Sequence, residues 1–151
     1  MNRIRARALS LNRSTAPALL RSVPPSQIAE ACGIALTYER LPLAFGRVIY
    51  LAEASLQPPR ITVNRTAIAT LVEAAVQAPP EHQGWFSETA ITEVVIAHEL
   101  YHILTRQPTS RLVEEQAHEF AQALTGLPFS PRVYEALLKQ TVACPNTRNT
   151  T

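Results

Sequence analysis

Residues 97–104, Ala97-His98-Glu99-Leu100-Tyr101-His102-Ile103-Leu104, carry the pattern H-E-x-x-H inside an apolar run. On a helix, His98 and His102 stand at i and i+4, one turn apart on one face. That spacing lets two imidazoles close on one metal ion. Glu99 is turned by about 100° from His98, beside such an ion and not on it. There its carboxylate can hold a water that Zn²⁺ acidifies, which is the logic of a zinc metalloprotease. With four His and twelve acids in 151 residues, chance produces the pattern in roughly one such chain in a hundred.

The surroundings of the motif are helical in character. Thr89 to Thr105 contains no Gly or Pro. Ile96, Leu100, Ile103 and Leu104 fall opposite the two His, while Ile91 and Val95 fall on their side. A helix apolar nearly all round is expected to be buried. The bland alternative is a core helix with two hydrogen-bonded histidines. It has to satisfy two imidazoles and an acid inside a core, and each needs partners there.

A catalytic zinc site takes three protein ligands and leaves one position open. The chain has no Asp, so candidates for the third ligand are few. Residues 111–121, RLVEEQAHEFA, read as a second helix with Val113, Ala117, Phe120 and Leu124 as its core stripe. Ser110 is a suitable N-cap, and Gly126 with Pro128 is a stop signal. Glu114 shares a face with Ala117, His118 and Ala121, and the two small residues permit close approach to the first helix. Glu114 is therefore the expected third ligand. Glu115, about 100° away, is the alternative. Either acid also suits a helix N-terminus with no metal involved, because it complements the macrodipole. His118, one turn after Glu114, is a candidate ligand, a partner that orients a ligand, or a transition-state donor. Its plain alternative is a half-exposed helical histidine.

The strings IAHELYHIL (96–104) and EEQAHEFAQAL (114–124), preceded by PPRITVN (58–64), resemble the ImmA/IrrE-type metallopeptidases, a branch of the gluzincins. In that family the H-E-x-x-H helix is followed by E-x-x-A-(N/D)-x-F-A, whose first Glu completes the zinc site. The resemblance covers roughly residues 26 to 138 and puts that Glu at Glu114, with Ala117, Phe120 and Ala121 matching. His118 stands where the family carries Asn or Asp, and the spacing from His102 to Glu114 is shorter than the family's. The resemblance implies an α+β, mainly helical zincin-like domain with a small flanking β-sheet, whose edge can pair with an extended peptide. It further implies a Zn²⁺-dependent peptidase acting on a protein or peptide. Relatives of this type often act in repressor control, so a transcriptional repressor is one candidate, but the resemblance itself does not supply a substrate. A rival reading keeps the fold and the metal but makes the chain a regulatory module. It would hold a repressor or toxin partner, with cleavage silent or conditional.

Composition sets the outer bounds. The length suits one domain of ordinary size, and 46% apolar with 17% charged residues describes a globular chain. A net charge of +2 gives no reason to expect a nucleic-acid partner. The expected organisation is a basic tail over residues 1–24, one domain over 25–144 and a loose tail over 145–151. Arg3, Arg5, Arg7, Arg13 and Arg21 precede the first acid, Glu30, with no aromatic residue among them. That pattern suits a flexible tail better than a nucleic-acid arm or a transit peptide. Cys32 and Cys144 are far apart and neither adjoins the motif, so a reducing, cytoplasmic setting is expected. No apolar run approaches a membrane span, and "APALL" is too short for a signal-peptide core.

In chain order, Ser26 is read as the N-cap of a short helix through Ala31, ended by Gly33. Ile34 to Glu39 reads as an edge strand, RLPLAFG as a connection, and Val48 to Leu51 as the clearest strand. Pro58-Pro59 breaks the chain before a strand over Arg60 to Asn64. Asn64 or Thr66 caps a helix with Ile68, Leu71, Val72, Ala75 and Val76 on its apolar face, stopped by Pro79-Pro80. The loop EHQGWFS holds His82, an outside candidate for a metal ligand. It also holds Trp85 and Phe86, which either cap the core or line a pocket. Helical spacing resumes at Val133, Leu137 and Leu138. Tyr134 and Arg132 are placed within reach of the cleft, and Tyr134 is a candidate oxyanion donor.

The mechanism expected from these residues has His98, His102 and Glu114 holding Zn²⁺ and Glu99 serving as general base. A structural zinc domain is disfavoured, since four Cys/His ligands at suitable spacing are lacking. An N₂O donor set also accepts iron or manganese.

Overall fold

A computed structural model describes residues 23–45 and 48–143. The two terminal tails expected from sequence, and Cys144, lie almost wholly outside these residues. Of the expected N-terminal tail, Val23 and Pro24 are described, and Val23 packs against the core.

The H-E-x-x-H helix, α3 (Glu88–Thr105), runs through the centre. The elements around it are α1 (Pro25–Ala31), β1 (Ala35–Glu39), β2 (Ala44–Phe45), β3 (Val48–Ile49), β4 (Ala52–Leu56), β5 (Pro59–Asn64) and α2 (Arg65–Glu73). Two 3₁₀ segments follow α2, at Ala74–Gln77 and Pro80–Phe86, and α4 (Arg111–Thr125) and α5 (Arg132–Ala143) follow α3. The fold is α+β and mainly helical, with one small mixed sheet.

Local chemistry explains the boundaries of α3. Ser87 accepts from the Ala90 N–H at 3.1 Å, and Glu88 sits in the first turn, where an acid favours the dipole. Arg106 closes the helix in the left-handed region (φ 51°), its N–H donating to the His102 carbonyl. Ile91, Val94, Val95, Ile96, Ala97, Leu100, Tyr101 and Ile103 are all buried. A helix with so little polar surface is stable only when covered on most sides, and it packs against α4, β4, β5, α1 and α2.

The sheet lies on one flank, in the order β1-β5-β4. β5 is central, parallel to β1 and antiparallel to β4, and buries Ile61 and Val63 completely. β4 was not legible in the sequence: AEASL has weak strand propensity. It forms because β5 offers a free edge, and because Ala52 and Ala54, opposite Val63 and Ile61, are small enough to pack on the core.

Several local expectations are corrected. Ser26 is not the N-cap of α1; Pro24 occupies that position and Pro25 opens the helix. The Ser26 N–H and Oγ instead donate to the two Glu93 oxygens at 2.9 and 2.7 Å, tying α1 to α3. RLPLAFG is not only a connection, since Ala44–Phe45 pairs with Val48–Ile49. The strand expected over Val48 to Leu51 is just those two residues, and the longer strand begins at Ala52. α2 ends at Glu73, and the chain tightens into a 3₁₀ turn ahead of Pro79-Pro80. Its buried face is Ala67, Ile68 and Leu71; Val72 is exposed and Val76 is 83% exposed. On α5 the core positions are Tyr134 and Leu138, with Val133 exposed. Tyr134 wins the inward position because its ring fits edge-on against Phe86 (5.4 Å) and Phe129 (5.6 Å). Trp85 and Phe86 belong to the core wall and do not line the cleft described below.

One polar residue pins the sheet to the cleft. Asn64 is fully buried and uses its whole hydrogen-bonding capacity. Nδ2 donates to the Pro42 and Tyr50 carbonyls (3.1 and 2.9 Å), and Oδ1 accepts from the Leu41 and Thr66 N–H groups (both 3.1 Å). It thus caps α2 and holds both ends of the connection that carries β2 and β3. Asn64→Ala strands several of these groups, so urea denaturation is expected to show a loss of about 3 kcal/mol. A loss below about 1 kcal/mol would mean that the connection is held by something else.

Candidate metal centre

His98 and His102 project from α3 toward Glu114 on the first turn of α4. The three side chains converge: His98 Nε2 to His102 Nε2 is 3.2 Å, His98 Nε2 to Glu114 Oε2 is 3.2 Å, and His102 Nε2 to Glu114 Oε1 is 3.0 Å. Among the described residues this is the one group of three or more His, Cys or acid side chains positioned to share a metal ion. A tetrahedral ion with ligands at 2.0–2.1 Å separates neighbouring ligand atoms by about 3.3 Å. The two Nε2 atoms stand slightly closer than that, and each faces one of the two Glu114 oxygens. One ligand atom from each residue lies within 4.8 Å of the others, so the residues fit a small divalent cation.

The approach of the two helices follows from the small residues anticipated in the sequence. Ala117 and Ala121 are fully buried against α3. Ser110 caps α4 by accepting from the Val113 N–H, and Gly126 (φ 77°) closes the helix in a conformation that favours glycine. Tyr101 on α3 donates to Gln116 Oε1 at 2.9 Å and stacks near Phe120 (5.5 Å). These contacts fix the rotation of α4, and with it the direction of Glu114.

Electrostatics favour ligand forms of the groups. A hydrogen bond from His98 holds the Glu114 carboxyl below the usual carboxylate range, against the opposing effect of burial. Burial, with the neighbouring His98, holds His102 below the ordinary histidine value, so the ring is neutral at pH 7. Glu99 behaves oppositely. Burial, reinforced by the charges of Glu114, Glu53 and Glu135, pushes its carboxyl up to about 8. A cation held by His98, His102 and Glu114 would oppose that shift and leave Glu99 ionised.

A cleft of about 400 Å³ opens over the cluster, and His98, Glu99, His102 and Glu114 all border it. One wall is the Ile49–Ala54 segment, including β4, and the other comes from α4 and α5. Glu115 points elsewhere, toward Arg111 (3.6 Å) and Arg132 (3.9 Å). Arg132 is accordingly engaged with Glu115, and it does not border the cleft. His82 stacks on Phe129 at 4.9 Å, away from the cluster. Tyr134 borders the cleft, but its hydroxyl donates to the Trp85 carbonyl at 2.5 Å and burial raises its pKa. His118 is buried, not half-exposed, with its ring 4.5 Å from that of His98.

Two acids at the cleft were overlooked in the sequence. Glu135 lies 3.3 Å from His118 Nε2. Burial opposes its ionisation, yet the His118 hydrogen bond and nearby positive charge hold its carboxyl below the usual range. Glu53 reaches the site from β4. Glu135 had a signal, because a histidine on the Glu114 face needs a partner and few acids follow it. Glu53 had none, because β4 itself was not apparent. No family model matches the chain, and neither does any curated protein or solved structure.

Without a cation, the same distances describe two imidazoles donating to one carboxylate. Metal analysis separates the two states. Purified protein is expected to hold about one divalent ion per chain. That ion is nearly absent in His98→Ala and Glu114→Ala and retained in Glu115→Ala. Equal retention in all four proteins would contradict the assignment. Because Glu99 is mostly protonated at pH 7 in the metal-free state, cation binding should release more protons from the wild type than from Glu99→Gln. Calorimetry in buffers of differing ionisation enthalpy reads the difference, and equal release would contradict it.

Proposed function

We propose that the chain is a zinc-dependent peptidase of the ImmA/IrrE type, acting in the cytoplasm on a protein or peptide such as a transcriptional repressor. The observation that supports this most is the convergence of His98, His102 and Glu114 at the base of a cleft that Glu99 also borders. Three ligands with an open side, and an acid beside them, suit hydrolysis better than a closed structural site. Among the described residues no helix is long and apolar enough to cross a membrane, which is compatible with that location.

In this reading His98, His102 and Glu114 hold the cation. When bound, such an ion acidifies a water and polarises a carbonyl oxygen. Glu99, bordering the same cleft, would take a proton from a water as that water's oxygen attacks the scissile carbonyl carbon. The C–N bond then breaks, and Glu99 returns the proton to the leaving amine. An ionised Glu99 is needed for the first transfer, and a protonated one for the last. A carboxyl surrounded by acids, yet beside a cation, is suited to both.

Substrate placement follows from β4. It is an outer strand of the three-stranded sheet, paired to β5 on one side, and it forms part of the cleft wall. Its remaining backbone groups can pair with an extended peptide, which would favour unfolded or loop segments over folded surfaces.

Glu99→Gln tests the chemistry separately from the metal. The variant is expected to keep its metal and thermal stability while losing at least about 100-fold in kcat against an unfolded protein substrate. Turnover near the wild-type rate would remove Glu99 from the mechanism. Full metal loading with no cleavage by the wild type of any repressor or unstructured protein would favour a binding module.

A further inference from the structure

Two buried side-chain nitrogens lack hydrogen-bond partners, His98 Nδ1 and His118 Nδ1, and they are the unsatisfied pair among the described residues. They belong to rings whose centroids are 4.5 Å apart. A histidine that binds a metal through Nε2 carries its proton on Nδ1 and normally gives that proton to an acceptor, which fixes the ring's tautomer and orientation. Resting on the metal-centre reading above, we propose that His118 is that acceptor, and that Glu135 makes it one. The positioning chain runs Glu135–His118–His98, ending at the cation.

The tautomers of the two rings decide which nitrogen donates. Glu135 Oε1 lies 3.3 Å from His118 Nε2. A carboxylate only accepts, so His118 Nε2 carries a proton; in the neutral imidazole Nδ1 is then left with a lone pair. That lone pair has nothing else to accept from. With a cation on His98 Nε2, the His98 proton would sit on Nδ1, the complementary donor; without one, Nε2 carries the proton and gives it to Glu114. The rings lie 4.5 Å apart at a tilt of 49°, and in this structure the two Nδ1 atoms are not hydrogen-bonded to each other. The pairing is proposed for the metal-loaded site, where His98 Nε2 would be taken up by the cation. Neither His118 nor Glu135 touches the cation; both act through His98.

Three helices thereby meet in one chain of bonds. α5 supplies Glu135, α4 supplies His118 and Glu114, and α3 supplies His98 and His102. The docking of α5 also sets the carboxylate: Tyr134, its neighbour, is locked to the Trp85 carbonyl and to Phe86.

The test uses the full chain in two readouts. In the first, ¹⁵N-correlated imidazole spectra of metal-free and zinc-loaded protein report the tautomers. The expected result is His118 protonated on Nε2 in both states, and His98 protonated on Nδ1, with that proton in slow exchange, when zinc is bound. Finding the His118 proton on Nδ1 in both states would overturn the proposal. In the second, zinc affinity is measured by competition with a chelator. His118→Leu and Glu135→Ala are each expected to weaken zinc by about 10- to 100-fold. The double variant should be little worse than either single one, because both cut one chain. Glu135→Gln, which keeps an acceptor oxygen, should restore most of the affinity. Independent, multiplying losses, or Glu135→Gln as weak as Glu135→Ala, would overturn it. Circular dichroism melts identify any variant that has simply unfolded. If the wild type binds no zinc, the metal-centre reading fails by itself. The metal-free spectra still decide the His118–Glu135 pairing.

Discussion

The structure depends on one close contact, the face of α4 carrying Ala117 and Ala121 against the central helix α3. Both alanines are completely buried. Larger side chains there would push the helices apart and draw Glu114 away from His98 and His102, which it meets at 3.2 and 3.0 Å. A ligand set shared between two elements is only as good as the packing that fixes their separation. Here the packing is a small-residue seam, so the separation is set by backbone proximity and not by flexible side chains.

The same central helix explains why polar chemistry survives inside an apolar fold. α3 is covered by the sheet, α1, α2 and α4, leaving His98, Glu99 and His102 to face one cleft. Burial there has two opposite effects. It keeps His102 neutral and available as a ligand, and it keeps Glu99 from ionising in a pocket with three other acids. A bound cation would supply the opposite charge that these concentrated carboxylates lack. Glu93 on the same helix is treated differently: bound by the Ser26 N–H and hydroxyl, it serves to anchor α1.

Much of this was legible in residue order. The motif, the uninterrupted run from Thr89, the Ser110 cap and the Gly126 stop located both site helices. The Glu114, Ala117, Ala121 face gave their relative orientation. What escaped was set by tertiary context. AEASL becomes a strand because β5 has an edge to fill, which its own propensity does not announce. Tyr134 takes the core position from Val133 because an aromatic pocket awaits it. Ser26 does not cap because Pro24 holds that position, and its N–H and hydroxyl instead donate to Glu93 across the fold. Glu135 and Glu53 enter the site from elements whose docking no local pattern encodes.

The central claim is that two imidazoles and one carboxylate grip a single cation and leave a side of it open. X-ray absorption at the zinc edge on protein loaded with one equivalent tests this most directly. The account predicts about four nitrogen or oxygen neighbours at about 2.0–2.1 Å, with outer-shell scattering from two imidazoles. A sulfur shell, or a spectrum of hydrated zinc with no imidazole scattering, would contradict it.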